Sequence, residues 1–158
     1  VGNGHAPEHL TLWCEDEPIV IAGDQIISSI SPNLGVYATE PDADPVQEWL
    51  TSCEAFLPFS NDKQLVLPGH KLPFYGLPHR LKQLIENHHS ALKRLVAFLK
   101  EPQTAVDCFP VLFNRKISDN EYGLALVEAV AHLNHLYRKK IVKRELNSKG
   151  AYVYTLKN

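Results

Sequence analysis

Two short segments decide the fold: Ile19-Val20-Ile21-Ala22-Gly23-Asp24 and Leu65-Val66-Leu67-Pro68-Gly69-His70. In each, an apolar run predicts a buried strand, a glycine lets the backbone turn, and a side chain able to bind a metal follows. A third potential ligand, His5 in Gly4-His5-Ala6-Pro7-Glu8-His9, lies just before the strand-like run 10–14. Imidazoles and a carboxylate at strand ends predict a metal site at a sheet edge, with His5, Asp24 and His70 as ligands.

The first half of the chain has the pattern of an α/β layered unit. Runs 10–14 and 18–22 predict a hairpin across an acidic turn, and a short strand is predicted at 36–37. Asp44 and Pro45 have the residue types of a helix N-cap and first helical position, and Pro58 ends that helix. The run 65–67 is the strand that follows.

The second half has a different pattern, that of helices followed by a hairpin. Helical spacing predicts a long helix over 79–100, a short helix capped by Thr104 and interrupted by Pro110, and a third helix over 122–139. Runs 141–146 and 151–156 predict a β-hairpin. Three helices and a hairpin have the order of a winged-helix domain.

Charge separates the two halves. Residues 1–77 contain 2 Lys/Arg and 11 Asp/Glu, whereas residues 78–158 contain 14 and 7, although the whole chain has a net charge of only −2. We therefore predict two domains, 1–77 and 78–158, with the boundary in the Pro/Gly-rich stretch around 72–78. No apolar run approaches the roughly 20 residues that a membrane helix needs. Three widely spaced cysteines favour a reducing compartment, and we expect a cytoplasmic protein without membrane contact.

The three motifs, in this order, resemble the later metal motifs of the metallo-β-lactamase fold hydrolases. Residues 78–158 resemble the small winged-helix domain that follows the hydrolase domain in one branch of that family, which includes endoribonuclease-like members. The resemblance implies the second part of an αββα sandwich followed by a small α+β winged-helix domain. Because the chain contains no Met and begins just before His5, we expect it to be the C-terminal portion of a longer hydrolase.

The resemblance also implies a binuclear site, usually zinc, with manganese or iron as alternatives. His5 would bind one metal, Asp24 would bridge both, and His70 would bind the second. The remaining ligands belong to a His-x-His-x-Asp-His motif, and this sequence contains no His-x-His. The intact protein would be a hydrolase whose metal-bound hydroxide attacks an ester, thioester, lactone or phosphodiester in a small-molecule substrate. No catalytic residue separate from the ligands is expected. We expect the present chain to have little or no metal and no activity.

Several alternatives remain open from the residues. His5 and His70 are also suited to turns in which they bond nearby carbonyls. Glu8 and His9 are weaker candidates, as residues that orient His5. His132 and His135 have helical spacing but no evident carboxylate partner, which favours packing.

The sequence of the basic second half does not decide which partner this region binds. Its third helix is apolar nearly all round, which favours an accessory or homodimer contact. The alternatives are a nucleic-acid-binding winged helix, non-specific RNA contact, and a single-strand endoribonuclease.

Overall fold

The structure, a computed structural model, describes residues 1–157 and divides into two compact units. Unit 1 contains residues 1–33 and 47–87, and unit 2 contains residues 34–46 and the chain from residue 88 onward. The strands are β1 (Leu12–Trp13), β2 (Ile19–Gly23), β3 (Leu65–Pro68), β4 (Val142–Leu146) and β5 (Tyr152–Leu156). The helices are α1 (Pro45–Phe56), α2 (Leu77–Phe98), α3 (Phe109–Phe113) and α4 (Tyr122–Arg138). None of these helices is long and apolar enough to cross a membrane.

Unit 1 contains a three-stranded sheet with the order β1-β2-β3. β1 pairs antiparallel with β2, which confirms the predicted hairpin, and β2 pairs parallel with β3 in the register Val20↔Val66. Parallel neighbours need a crossover connection, and the chain between them contains α1. Because the two strands run in the same direction, the residues that follow them leave from the same edge of the sheet.

The sheet of unit 1 has apolar residues on both faces. On one side Val20, Ala22 and Val66 are fully buried. On the other, Leu12 and Ile21 are 60% and 48% exposed. Sheets whose strands are apolar on both faces are normally covered on both faces.

A buried arginine ties an irregular loop of unit 1 to α2. The Arg80 Nε donates to the carbonyl of Ile27 at 2.8 Å, and its Nη2 donates to the carbonyl of Ile30 at 2.8 Å. These carbonyls lie in the segment that connects β2 to the rest of the unit. A charged donor that satisfies buried carbonyls contributes more than a neutral one.

We predict that Arg80→Met lowers the free energy of unfolding by about 2–3 kcal/mol, because the buried carbonyl of Ile27 and the partly buried carbonyl of Ile30 lose a charged donor. Urea denaturation measures the change. Lys82→Met, an exposed position on the same helix, is the control and should change stability little. Equal effects of the two substitutions would show that the Arg80 contacts are not stabilising.

Unit 2 contains the second half of α2, then α3, α4 and a hairpin. β4 and β5 pair antiparallel over five residues, from Val142↔Leu156 to Leu146↔Tyr152. The predicted long helices and hairpin are therefore present. The winged-helix assignment of this region stays a prediction.

Two sequence predictions within unit 2 are wrong. Residues 36–37 form no strand, and the Val36 N–H donates instead to the carbonyl of Val127 at 3.1 Å. Thr104 does not begin a helix: its hydroxyl bonds the Asp107 carboxylate at 2.6 Å within a turn. The helix starts later, at Phe109, with Pro110 in its first turn, where the missing N–H costs nothing.

Buried histidines fill part of the interior of unit 2. His132 Nδ1 donates to the Glu128 carbonyl at 2.9 Å, so its Nε2 accepts from His88 Nδ1 at 3.2 Å. The two rings stack with centroids 5.3 Å apart. His135 Nδ1 lies 3.0 Å from Asp44 Oδ1. The expectation that no carboxylate stands near His135 was wrong, because Asp44 is distant in sequence.

Burial keeps this histidine pair neutral. Desolvation, reinforced by His132, lowers the pKa of His88 to about 3. Desolvation also lowers the pKa of His132 to about 4. Both values lie below the unfolded value of about 6.5. At pH values between the folded and the unfolded pKa, the unfolded chain binds more protons than the folded chain. Lowering the pH through this range therefore destabilises the fold.

We predict that stability falls as the pH drops from about 6.5 toward 4, by up to about 1.4 kcal/mol per pH unit for each of the two groups. Urea unfolding at pH 7, 6 and 5 measures the slope. His88→Leu should reduce it, whereas His89→Leu, which removes a half-buried neighbour, should reduce it less. If His88→Leu left the slope of stability against pH unchanged, the pH dependence would not come from the His88–His132 pair.

Candidate metal centre

The three predicted ligands of unit 1 converge on the carboxylate of Asp24. Asp24 follows β2, and His70 follows β3, its parallel neighbour. His70 Nδ1 lies 2.7 Å from Asp24 Oδ1, and His5 Nε2 lies 3.6 Å from Asp24 Oδ2. The three side chains are partly open to solvent, with 27% of His5, 23% of Asp24 and 69% of His70 exposed. The carboxylate therefore presents a different oxygen to each imidazole.

The tautomer of His5 is set by a backbone carbonyl. His5 Nδ1 lies 2.9 Å from the carbonyl oxygen of Asn33. A carbonyl oxygen can only accept, so Nδ1 carries the proton and the neutral ring has its lone pair on Nε2. That nitrogen lies 3.6 Å from Asp24 Oδ2. Two electron-pair donors this close to each other favour a cation bound by both.

The separation of these two donors fits a shared cation. Zn–N and Zn–O bonds are about 2.0–2.2 Å, so two ligands on a tetrahedral ion lie about 3.3–3.6 Å apart. The observed distance between His5 Nε2 and Asp24 Oδ2 is 3.6 Å. These two groups fit a metal ion without rearrangement.

The three residues His5, Asp24 and His70 do not complete a metal site by themselves. Within residues 1–157, no group of three or more His, Cys, Asp or Glu side chains has the arrangement needed to hold a metal ion. His70 Nδ1 is hydrogen-bonded directly to Asp24 Oδ1 at 2.7 Å, which is too close for an ion between the two atoms. Further ligands are therefore needed for tight binding.

His9 holds the backbone of Asp24 in place. Its Nδ1 donates to the carbonyl of Leu10 at 3.1 Å, and its Nε2 accepts from the Asp24 N–H at 3.3 Å. Both ring nitrogens are engaged, so His9 is a positioning residue. Glu8 has a positive φ of 51°, and its N–H is bonded to Asn3 Oδ1 at 2.9 Å. The orienting contact of His5 comes from Asn33, which the sequence analysis did not single out.

Two glycines allow the close packing around Asp24. A Cβ at Gly69 would lie 2.6 Å from Asp24 Oδ1. Gly23 has a φ of +52°, and a Cβ there would lie 2.5 Å from His9 Cε1. Any larger residue would displace the carboxylate or the ring that supports it.

Comparisons with known proteins identify the fold. A family model described as the metallo-β-lactamase-like C-terminal domain matches residues 92–157. The structure of a β-lactamase domain protein from Burkholderia ambifaria superposes with a TM-score of 0.94 at 34% identity, covering 99% of this chain and 46% of that one. The chain has the metallo-β-lactamase fold.

A second solved structure agrees. A metallo-β-lactamase family protein from Thermus thermophilus superposes with a TM-score of 0.83 at 28% identity, covering 98% of this chain and 47% of that one. No curated protein sequence matches significantly. The chain therefore spans about half the length of the two metallo-β-lactamase relatives. The predicted resemblance to the metallo-β-lactamase fold is confirmed, and the winged-helix assignment of residues 78–158 stays a prediction.

We predict that Gly69→Ala breaks the contact between Asp24 and His70, because the added Cβ would lie 2.6 Å from the carboxylate oxygen. Long-range ¹H–¹⁵N correlation spectra of the histidine rings report which nitrogen carries the proton. His70 should change from the Nδ1–H to the Nε2–H tautomer. Gly123→Ala, where a Cβ meets no atom within 4 Å, is the control. An unchanged His70 tautomer in Gly69→Ala would contradict the packing argument.

Proposed function

We propose that this chain belongs to a metal-dependent hydrolase, to which it supplies His5, Asp24 and His70 as ligands. The observation that carries the proposal is the 3.6 Å gap between His5 Nε2 and Asp24 Oδ2. The Nδ1–H tautomer of His5 leaves the lone pair on the nitrogen that borders this gap. The metallo-β-lactamase fold supports the same conclusion independently.

Asp24 is suited to bridge two cations. Its two oxygens face two different imidazoles, which come from different parts of the chain. A cation on Oδ2 would lie beside His5, whereas a cation on Oδ1 would replace the direct hydrogen bond to His70. His9 and Gly69 fix its position from the backbone side and from β3. We propose a binuclear centre, with zinc as the first choice and manganese or iron as alternatives.

Divalent cations bound at such a centre supply hydroxide near neutral pH, because they lower the pKa of water. The residues of this chain would hold the cations and leave one side of Asp24 open to substrate. An ester, thioester, lactone or phosphodiester is the proposed substrate class. Because three residues do not complete the site, we expect the present chain to bind metal weakly and to show no turnover by itself.

A second candidate function is cleavage of single-stranded RNA by the same centre. It is favoured by the exposed cations after α4, namely Lys139, Lys140, Lys143 and Lys149. Such charges attract a phosphate backbone without reading its sequence. Sequence-specific DNA recognition is disfavoured, since residues 131–136 of α4 are buried.

We predict that the chain binds Zn²⁺ weakly and that Asp24→Asn and His70→Ala each weaken this binding at least ten-fold. Equilibrium dialysis against Zn²⁺, followed by elemental analysis, measures the affinity. The expected order follows from the contacts, because loss of Asp24 removes the partner of both histidines. Asp24→Asn should therefore have the larger effect.

Asp62→Asn and His79→Ala are the matched controls. Each removes the same group from an exposed position of unit 1, and neither should change Zn²⁺ binding. Equal binding by all variants would overturn the ligand assignment. Rapid hydrolysis by the 158-residue chain alone would overturn the proposal that further ligands are required.

A further inference from the structure

Unit 2 contains a cavity that the metal centre does not use. Its volume is about 440 Å³, and it is lined by the segment 34–46, the turn 104–106, α4 and the β4–β5 hairpin. Much of its wall is apolar, including Val36, Val106, Leu126 and Val130. The volume is within the range of about 300–1,000 Å³ of small-molecule pockets. The cavity is therefore large enough for a bicyclic aromatic molecule.

A cation fixed by aromatic rings lies at the wall of this cavity. The Arg144 guanidinium carbon is 4.6 Å from the centroid of the Tyr137 ring and 4.4 Å from that of Tyr152. Only 17% of the Arg144 side chain is exposed. Such a guanidinium is rigid and poorly hydrated, which strengthens its attraction for an anion.

Arg144 has donor capacity left for a ligand. Its Nη2 donates to Asp42 Oδ1 at 3.2 Å, and the Tyr154 hydroxyl interacts with the same guanidinium. A guanidinium carries five N–H donors, so these two partners leave others available. Asp42 is 75% exposed and also lines the cavity, so its carboxylate occupies one side of the guanidinium and leaves the other N–H groups to a ligand. An anion entering the cavity can bind beside it.

Asn134 fixes one side of the cavity wall. Its Nδ2 donates to the carbonyls of Pro41 and Ala43 at 2.8 and 3.2 Å, which fixes the orientation of the amide and holds this segment against α4. Its Oδ1 is buried away from the cavity space, so a ligand does not reach it. The polar recognition of a ligand therefore depends on Arg144.

We propose that this cavity is a binding site for a small organic anion with an aromatic body. The body packs on the apolar wall, and the anionic group binds Arg144. The site lies within unit 2, shares no residue with the metal centre, and does not depend on the hydrolase proposal. It gives the basic unit a ligand that is not a nucleic acid.

Fluorescence titration with 8-anilinonaphthalene-1-sulfonate tests the proposal, because this dye has an aromatic body and an anionic group. We expect saturable binding at one site per chain. Arg144→Gln should weaken it at least ten-fold. Lys143→Gln, which removes the same charge from the neighbouring and exposed position of β4, should leave it within two-fold.

Two further measurements make the test independent of the Arg144–Asp42 contact. Ala151→Trp adds bulk at an exposed lining position and should weaken dye binding at least ten-fold without disturbing the fold, as checked by circular dichroism. N-phenyl-1-naphthylamine lacks the sulfonate, and its binding should be insensitive to Arg144→Gln.

Three outcomes would overturn the proposal. Unchanged dye binding in Arg144→Gln and Ala151→Trp would place the dye elsewhere, such as the exposed apolar face of unit 1. Equal weakening by Arg144→Gln and Lys143→Gln would indicate general charge attraction. Equal loss of the neutral and anionic dyes in Arg144→Gln would show that Arg144 does not bind the anion.

Discussion

The parallel pairing of β2 with β3 is the constraint on which the candidate centre depends. It brings Asp24 and His70, far apart in sequence, to one edge of the sheet with their side chains 2.7 Å apart. An antiparallel pairing of the same strands would place the two residues at opposite edges. The glycines before these residues then let the chain turn sharply, so that the side chains approach each other. The Asp24–His70 pair of the candidate centre is thus a consequence of strand direction.

The elements with strong local patterns were predictable from sequence. The apolar run of β2, the proline at the start of α1 and the apolar stripe of α2 each specify their structure through neighbours a few residues away. The predicted strand at 36–37 was wrong because Val36 is bonded to Val127, a partner that no local pattern reveals. The turn at Thr104 was mistaken for a helix start because the same side chain suits both.

In the candidate site, too, some residues could be predicted from sequence and others could not. His5, Asp24 and His70 could be chosen from residue type and position after a strand. The Asn33 carbonyl that orients His5 could not, because a backbone acceptor leaves no trace in residue identity. The carboxylate beside His135 was missed for a different reason, because Asp44 is distant from it in sequence. The glycines before Asp24 and His70 are visible in the sequence. Only the structure shows why glycine is needed there, because a Cβ at either position would collide with Asp24 or His9.

The segment 34–46 belongs to unit 2, although unit 1 both precedes and follows it. The chain therefore passes between the units three times, after residues 33, 46 and 87. Neither unit corresponds to a continuous piece of sequence. A piece covering only residues 78–158 would lose Asp44 from His135 and two carbonyls from the Asn134 amide. Such interleaving means that a unit of this kind cannot be exchanged between proteins as a single insertion, and its evolution must keep two separated stretches compatible.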